Sequence, residues 1–334
     1  MILVISHQQD PHAERVIRHL EARGQPVLLL NLSELPDRAT LSIEYGRGGR
    51  PRIDYARADG RTYGLHDVTA VWWRRPQAPD LSSVTDPNVS LFTANEWNEA
   101  INGLWQLLDV PWMNSPTLDD AASRKARQLR VAAEVGLKVP RTLITSDPGR
   151  ARRFADEAGP AGLIYKTFSC THEVWRETRR LRAEDLAHLD AVRVAPVIFQ
   201  EFIPAESDLR ITAVGGTLHA AAIRSVAGDG LVDFRMTVGD AQLSAETLPD
   251  AIATRLLALL DRLGLVYGAI DMRRTPDGEY YFFEVNTAGE FLFIEDRTGQ
   301  PIAEAIANWL SKGVTPTRGT RRTRRAHEAV SGRA

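Results

Sequence analysis

The stretch "YYFFEVNTAGEF", residues 280–291, decides how this chain is read. It has the texture of a buried, aromatic-rich strand, yet Glu284 and Asn286 sit in it two positions apart. Side chains alternate along a strand, so these two share a face. An unpaired buried charge is expensive, and Glu284 therefore demands a partner. The residues before it, "VYGAIDMRRTPDG", read as a second strand closing in a turn. Thr275-Pro276-Asp277-Gly278 suits a type I turn, with Pro second and Gly fourth. An even-length loop keeps opposed residues on one face and sets Asp271 directly or diagonally across from Glu284. Two carboxylates and one amide oxygen then converge. They are hard ligands, of the kind Mg²⁺ takes while keeping waters and substrate phosphates. The hairpin alone fits a bland reading equally well, with Asp271 bridged to an arginine and Asn286 opening a loop.

The rest of the chain narrows the choice. Its 334 residues suffice for two or three domains with their own cores. Hydrophobic residues make up 43% and charged residues 25%, which is ordinary for a soluble globular protein. The net charge of −2 carries no nucleic-acid signature. A single cysteine, Cys170, excludes an internal disulfide and fits a reducing compartment. "MILVIS" is too short for a secretory core and lacks a basic leader, and no apolar run is long enough to span a membrane. A cytoplasmic protein that binds neither nucleic acid nor membrane is expected.

Four regions follow from the pattern. Residues 1–115 read as a small parallel α/β domain. "MILVIS" is a strand, "DPHAERVIRHLEARG" a helix with Asp10 at its N-cap, and "PVLLLNL" a strand. The dinucleotide fingerprint is absent from its first turn. Residues 116–194 read as a second, small α/β unit. It opens on one helix, "TLDDAASRKARQLRVAAEVG", with Lys125 inside it. Residues 195–313 change texture to a mostly antiparallel sheet with helices, including a strand at "LVDFRMTV" and a closing helix at "PIAEAIANWLSKG". Residues 314–334, rich in arginine and poor in large apolar side chains, are expected to be a disordered basic tail. The expected class is thus α/β followed by α+β.

At this point the chain resembles the ATP-grasp superfamily over about residues 110–312. Lys125 and Lys166 stand where that family places its two nucleotide-binding lysines. "QEFIP" is similar to its adenine hinge, with Glu201, Phe202 and Ile203, and Asp208 follows as a candidate acceptor for a ribose hydroxyl. "DLRITAVGG…AAAIR" is similar to the Asp-x-Arg…Arg pattern of the ribosomal-protein glutamate ligase branch, and "AID…FFEVN" matches the metal signature Asp271, Glu284 and Asn286. Each motif is weak alone; their order and spacing are specific. The chemistry agrees with the resemblance. Lysines act as compact point charges beside phosphates. Lys166 within the apolar "LIYKTF" wants an anion more than water.

A narrower resemblance, to the graspetide or microviridin-type peptide ligases, extends over nearly the whole folded chain. It rests on the opening "ILVISHQQDPHAERVIRHLEARGQPVLLLN", on "VWWRRP", on "LVDFR" and on "EVNTAGEFLFIEDRTGQPIAEAIANWL". It implies an ATP-grasp fold behind an N-terminal pre-ATP-grasp domain, ATP and Mg²⁺ as cofactors, a precursor peptide with a leader segment as partner, and a homodimer. Such an enzyme activates Asp or Glu side chains of the peptide, and a Ser, Thr or Lys side chain closes an ester or amide ring. Arg210, Arg224 and Arg235 would then stabilise the transferring phosphoryl group or the oxyanion. Arg74 and Arg75 at the end of "VWWRRP" would receive an acidic peptide, one of them facing the site. Two departures stand out. "FSCTHEVWRETRR" carries no glycine where many relatives have a Gly-rich loop, and Phe234 replaces a tryptophan. Two other functions compete: an amino-acid or glutamate ligase acting on a protein or small peptide, and a non-catalytic ATP-binding module. Intact Asp271, Glu284 and Asn286 argue against the last.

Overall fold

The computed structural model describes residues 1–49, 51–168, 178–224, 239 and 241–312. Contacts divide the chain into two units, Met1–Thr117 with the segment from Pro301 onward, and Leu118–Gln300. Arg235, Phe234, Cys170 and the strand expected at "LVDFRMTV" lie outside the described residues, as do most of "FSCTHEVWRETRR" and the basic tail. No described helix is long and apolar enough to cross a membrane.

The first unit opens with β1 (Ile2–Ile5), α1 (Pro11–Glu21) and β2 (Val27–Leu30). Asp10 caps α1 by accepting from the His12 N–H, Pro11 fills the first turn, and Gly24 follows the helix at φ 68°. A three-stranded antiparallel meander comes next, β3 (Ala39–Tyr45), β4 (Pro51–Arg57) and β5 (Thr62–Gly64). Then follow β6 (Ala70–Trp73), α2 (Pro87–Leu107) and β7 (Trp112–Met113). Strands β2, β1, β6 and β7 pair in that order, all parallel. The short βαβ opening dictates this, because the crossover helix must cover the sheet.

In the second unit the single helix expected around Lys125 is two, α3 (Pro116–Ser123) and α4 (Lys125–Glu134). Arg124 between them is extended, at ψ 106°. The buried Gln128 side chain explains the break. Its amide donates to the Ala122 carbonyl at 2.7 Å and to the Val285 carbonyl at 2.8 Å, and accepts from the Val285 N–H at 3.0 Å. One side chain thus satisfies a carbonyl near the end of α3 and docks α4 on a distant strand. Lys125 moves from mid-helix to the first turn of α4 as a result.

Beyond it lie β8 (Thr142–Thr145), α5 (Pro148–Asp156), β9 (Leu163–Lys166), β10 (Arg179–Arg180), a 3₁₀ segment over Ala183–Arg193, and β11 (Val197–Glu201). They form an antiparallel sheet in the order β10-β9-β11-β8. One face, with Leu163 and Phe199, packs on α5 and the 3₁₀ segment. The second sheet takes β12 (Ser207–Val214), β13 (Thr217–Arg224) and β14 (Gln242–Glu246), then α6 (Asp250–Leu263), β15 (Tyr267–Arg274) and β16 (Tyr280–Asn286), with α7 (Leu292–Thr298) after it. Its order is β14-β13-β12-β15-β16. The final helix, α8 (Ile302–Ser311), belongs by contact to the first unit, where it packs on α1, although sequence order attaches it to residues 195–313.

Candidate active site

Alternation along β12, β15 and β16 sorts their side chains onto two faces. Leu209, Ile211, Ile270, Met272, Phe282 and Val285 join α6 and α4 residues in one core. Asp208, Arg210, Asp271, Arg273 and Glu284 take the other face. Register confirms it: Arg210 is opposite Asp271, and Asp271 is opposite Glu284.

The route to that register differs from the sequence expectation. The hairpin is not closed by an even loop. Gly278 N–H donates to Thr275 O at 2.9 Å and Thr275 N–H donates to Glu279 O at 2.9 Å, so the loop is Pro276-Asp277-Gly278, with Gly278 at φ 84°. That register alone would set Asp271 opposite Phe283 and turn Glu284 toward the helical core. The pairing instead shifts by one residue between Met272 and Asp271, a β-bulge with Phe283 as the extra residue. The bulge puts Phe283 and Glu284 on the same face and brings Glu284 directly against Asp271.

Four charges line up across this face. Asp271 accepts from Arg210 Nη1 at 2.8 Å, and Glu284 pairs with Lys125 Nζ. Lys125 sits at a helix N-terminus, where a cation is unfavourable, and Glu284 offsets that. Arg210 is buried; burial works against its charge, but the Asp271 carboxylate outweighs this and raises its pKa. Its Nη2 donates to the Glu290 carbonyl at 2.9 Å. Asn286, opposite Ala269, is exposed beside them and accepts from the Ala288 N–H at 3.1 Å. Among the described residues no group of three His, Cys, Asp or Glu stands together. Two opposed carboxylates with a nearby amide still suit a divalent ion that keeps waters and phosphate oxygens among its ligands.

A cleft begins at these carboxylates and ends at the hinge. Ile164, Lys166, Gln200, Glu201, Phe202, Ile203, Asp208 and Arg273 line it with Asp271, Phe283 and Glu284. Lys166 ends β9 and Glu201 ends β11, so the two sheets of this unit supply its two walls. One feature suits a purine edge. The Ile203 N–H donates to no backbone oxygen among the described residues. The neighbouring Gln200 side chain is buried, held through Nε2 to Thr142 Oγ1 at 3.0 Å, with its Oε1 enclosed. Asp208, expected to face a ribose, has both oxygens engaged by Arg273, at 2.7 and 3.0 Å.

Other expected residues are not brought here. Arg224 shares the strand face of Ala220 and Ala222, which lie in the helical core, and so is opposite in sense to Arg210. It lies 3.2 Å from Ser244 Oγ and 3.9 Å from Glu246. Arg74 and Arg75 belong to the first unit, and both backbone N–H groups donate to Ile5 O. Arg74 is 0% exposed and donates to Asp10 Oδ2 at 3.2 Å, so it holds the fold rather than meeting a peptide. Arg75 is half-buried.

The sequence reading missed Gln128, Gln200, Phe283 and Arg273. Gln200 and Arg273 lay within quoted motifs, but nothing local marked their partners. It also missed Gly289. A Cβ there would collide with Ala269 Cβ and lie 2.8 Å from Arg210 Nη2. Gly289→Ala is expected to push the 289–290 backbone off Arg210, breaking its bond to Glu290 O. On the proposal that Arg210 faces the developing charge, a donor whose full loss costs about a hundred- to a thousandfold, turnover should fall by at least about tenfold. Steady-state ADP release measures this, and an unaltered rate would show that the loop does not seat Arg210.

A cleft lined by Lys166, with a carboxylate pair at its end and Lys125 on one of those carboxylates, suits an ATP-dependent ligase site of the ATP-grasp kind. The family models agree: residues 1–120 match the MvdD pre-ATP grasp domain and residues 122–310 the RimK-like ATP-grasp domain. The chain belongs to the RimK-like ATP-grasp ligases, enzymes that use ATP. It is similar to the macrocyclase MdnC from Microcystis aeruginosa MRC, crystallised with precursor peptide MdnA. The two are 32% identical with a TM-score of 0.84, over 92% of this chain and 98% of that one. A ligase associated with ribosomal peptide modification from Chryseobacterium gregarium, solved with ADP and a leader and core peptide, is 27% identical. Its TM-score is 0.85, over 94% and 97% of the two chains. A probable alpha-L-glutamate ligase of Vibrio atlanticus (strain LGP32) is 28% identical over 66% of this chain and 73% of its own length.

Proposed function

We propose that this enzyme activates Asp or Glu side chains of a ribosomally made precursor peptide and closes ester or amide rings within it. The observation that carries the reading is the cleft joining the hinge residues Gln200–Ile203 to the opposed carboxylates Asp271 and Glu284. It is supported by likeness over nearly the full chain to ligases solved with precursor peptides.

In this reading the adenine edge meets the Ile203 N–H, and Phe202 and Ile203 wall the base. Lys166 faces phosphate. Asp271, Glu284 and Asn286 would hold Mg²⁺, which when bound neutralises charge on the phosphates. Lys125, paired with Glu284 at the head of α4, would be the second lysine beside the phosphates. A peptide carboxylate attacks the γ-phosphorus and ADP leaves. A hydroxyl or amine of the same peptide then displaces phosphate from the acyl phosphate. Arg210, fixed by Asp271 and Glu290, offers the guanidinium for the charge that develops; Arg224, on the other face of the sheet, does not, and Arg235 is kept as a candidate for the same task. Arg75 is the better of the paired arginines to receive an acidic peptide, since Arg74 is committed to Asp10. A homodimer is part of this proposal, with the exposed Val89, Leu91 and Phe92 of α2 as its apolar face and light scattering as its test.

The test incubates full-length enzyme with ATP, Mg²⁺ and a candidate acidic precursor, and follows loss of one water per ring by mass spectrometry. Arg75→Ala is expected to lose ring formation while binding ATP normally. Wild-type processing by that variant would remove Arg75 from substrate handling. The competing reading, a glutamate ligase, is favoured by the names of the sequence relatives. It predicts instead a mass gain of one glutamyl residue on the acceptor when free glutamate is supplied.

A further inference from the structure

Arg273 is buried in the wall of the cleft, and its guanidinium is spread over three acceptor oxygens of two residues. Nε and Nη2 donate to Asp208 Oδ1 and Oδ2, at 2.7 and 3.0 Å. Nη1 donates to the Ile203 carbonyl at 2.8 Å. The same group lies 5.7 Å from the Phe202 ring centroid and 5.5 Å from that of Phe283. A buried pair of this kind costs desolvation and contributes little to stability against an apolar alternative, so its worth lies in what it positions.

What it positions is the hinge. Pro204 follows Ile203 and confines it to extended backbone. With the Ile203 carbonyl held by Arg273, the hinge backbone is tied to β15 at that residue. Arg273 sits on β15, two residues beyond Asp271, while Ile203 follows β11. One guanidinium therefore ties the base-reading edge to the strand that carries a carboxylate of the phosphate end. Phe202 is held from its other side as well: Arg180 lies 3.4 Å from its ring centroid and donates to the Ala161 carbonyl.

We infer that Arg273, held by Asp208, is a positioning residue that makes the cleft selective for adenine by fixing the Ile203 hinge. The inference rests on the reading of this cleft as the ATP site. An adenine edge offers an acceptor to the Ile203 N–H, whereas guanine presents a donor there. A hinge free to shift its backbone loses that distinction. A hinge locked by a buried, bidentate, charge-assisted pair keeps it.

The test titrates ATP and GTP separately into full-length protein with Mg²⁺, by calorimetry. Two variants are compared with the wild type. Arg273→Lys keeps a charge opposite Asp208 but lacks the fork that reaches Ile203 at the same time. The double variant Asp208→Asn with Arg273→Met removes both charges, so that no buried carboxylate is left unpaired. Both are expected to lose ATP affinity by about tenfold or more, the scale of a hydrogen bond to a charged group, with GTP affinity little changed. The ATP-to-GTP ratio should collapse. A role in fold stability alone would weaken both nucleotides alike. An unchanged ratio in folded variants of a wild type that prefers ATP overturns the clamp while leaving the ATP site standing. A wild type that binds no ATP removes the reading of the cleft, and the clamp with it.

Discussion

Glu284→Ala is expected to abolish ADP release while leaving the circular dichroism spectrum of the protein unchanged. The side chain is 23% exposed and contributes its charge, not its volume. It stands opposite Asp271 only because of the bulge at Phe283, and it is paired with Lys125. Removing it takes one oxygen ligand from the proposed metal set and leaves Lys125 without that carboxylate at the head of α4. Charge stabilisation by a bound divalent ion is worth several kcal/mol in the transition state, so a loss of about a thousandfold or more is the expected scale. Glu284→Gln, which keeps an oxygen but loses the charge, should fall between the two. Wild-type turnover in a well-folded Glu284→Ala variant would sink the metal assignment.

The second large effect falls on stability. Arg74→Ala is expected to destabilise the first unit by about 3–5 kcal/mol, the usual result of stripping one partner from a buried ion pair. Both Arg74 and Asp10 are buried, and Ser6 Oγ donates to the same carboxylate oxygen at 2.8 Å. In the intact protein burial alone would push the Asp10 carboxyl up. The Arg74 guanidinium and the Ser6 hydrogen bond outweigh it and hold the pKa below the usual carboxylate value. A depressed folded value stabilises the protein above the unfolded value of about 4, and that contribution disappears as pH falls through the lower folded value. Without Arg74 the burial effect stands unopposed by that cation. The deficit of the variant should therefore be greatest near pH 7 and shrink as Asp10 becomes protonated in acid. Thermal melts at pH 7 and pH 4 read this directly. Equal melting temperatures for variant and wild type at pH 7 would show that Asp10 does not depend on Arg74.

Periodicity and turn chemistry carried a good part of this protein in plain view. The βαβ opening needed only a strand, a helix with Asp10 before Pro11 and Gly24 after it, and a second strand. Those are local signals, and a parallel sheet follows because short crossovers allow little else. The core face of β12 and β15 could likewise be read from alternation, and so could the place of Arg210 and Asp271 on its other face.

Tertiary structure decided the rest, and for one physical reason: a side chain's partner can be far away in sequence. Whether Glu284 faced the cleft or the helical core turned on a single extra residue in one strand, and no local pattern marks Phe283 as that residue. Gln128 broke a helix that its own residues would have continued, because its amide found Val285, 157 positions away. Lys125 was placed by that break. Arg224 looked equivalent to Arg210 in sequence, but the register of β13 sent it to the other face of the sheet. Arg74 and Arg75 looked interchangeable; Asp10, 64 residues earlier, took one of them out of reach of any substrate. Sequence determined which residues belong to strands and helices and which chemistry they could supply. Long-range pairing determined which of them meet.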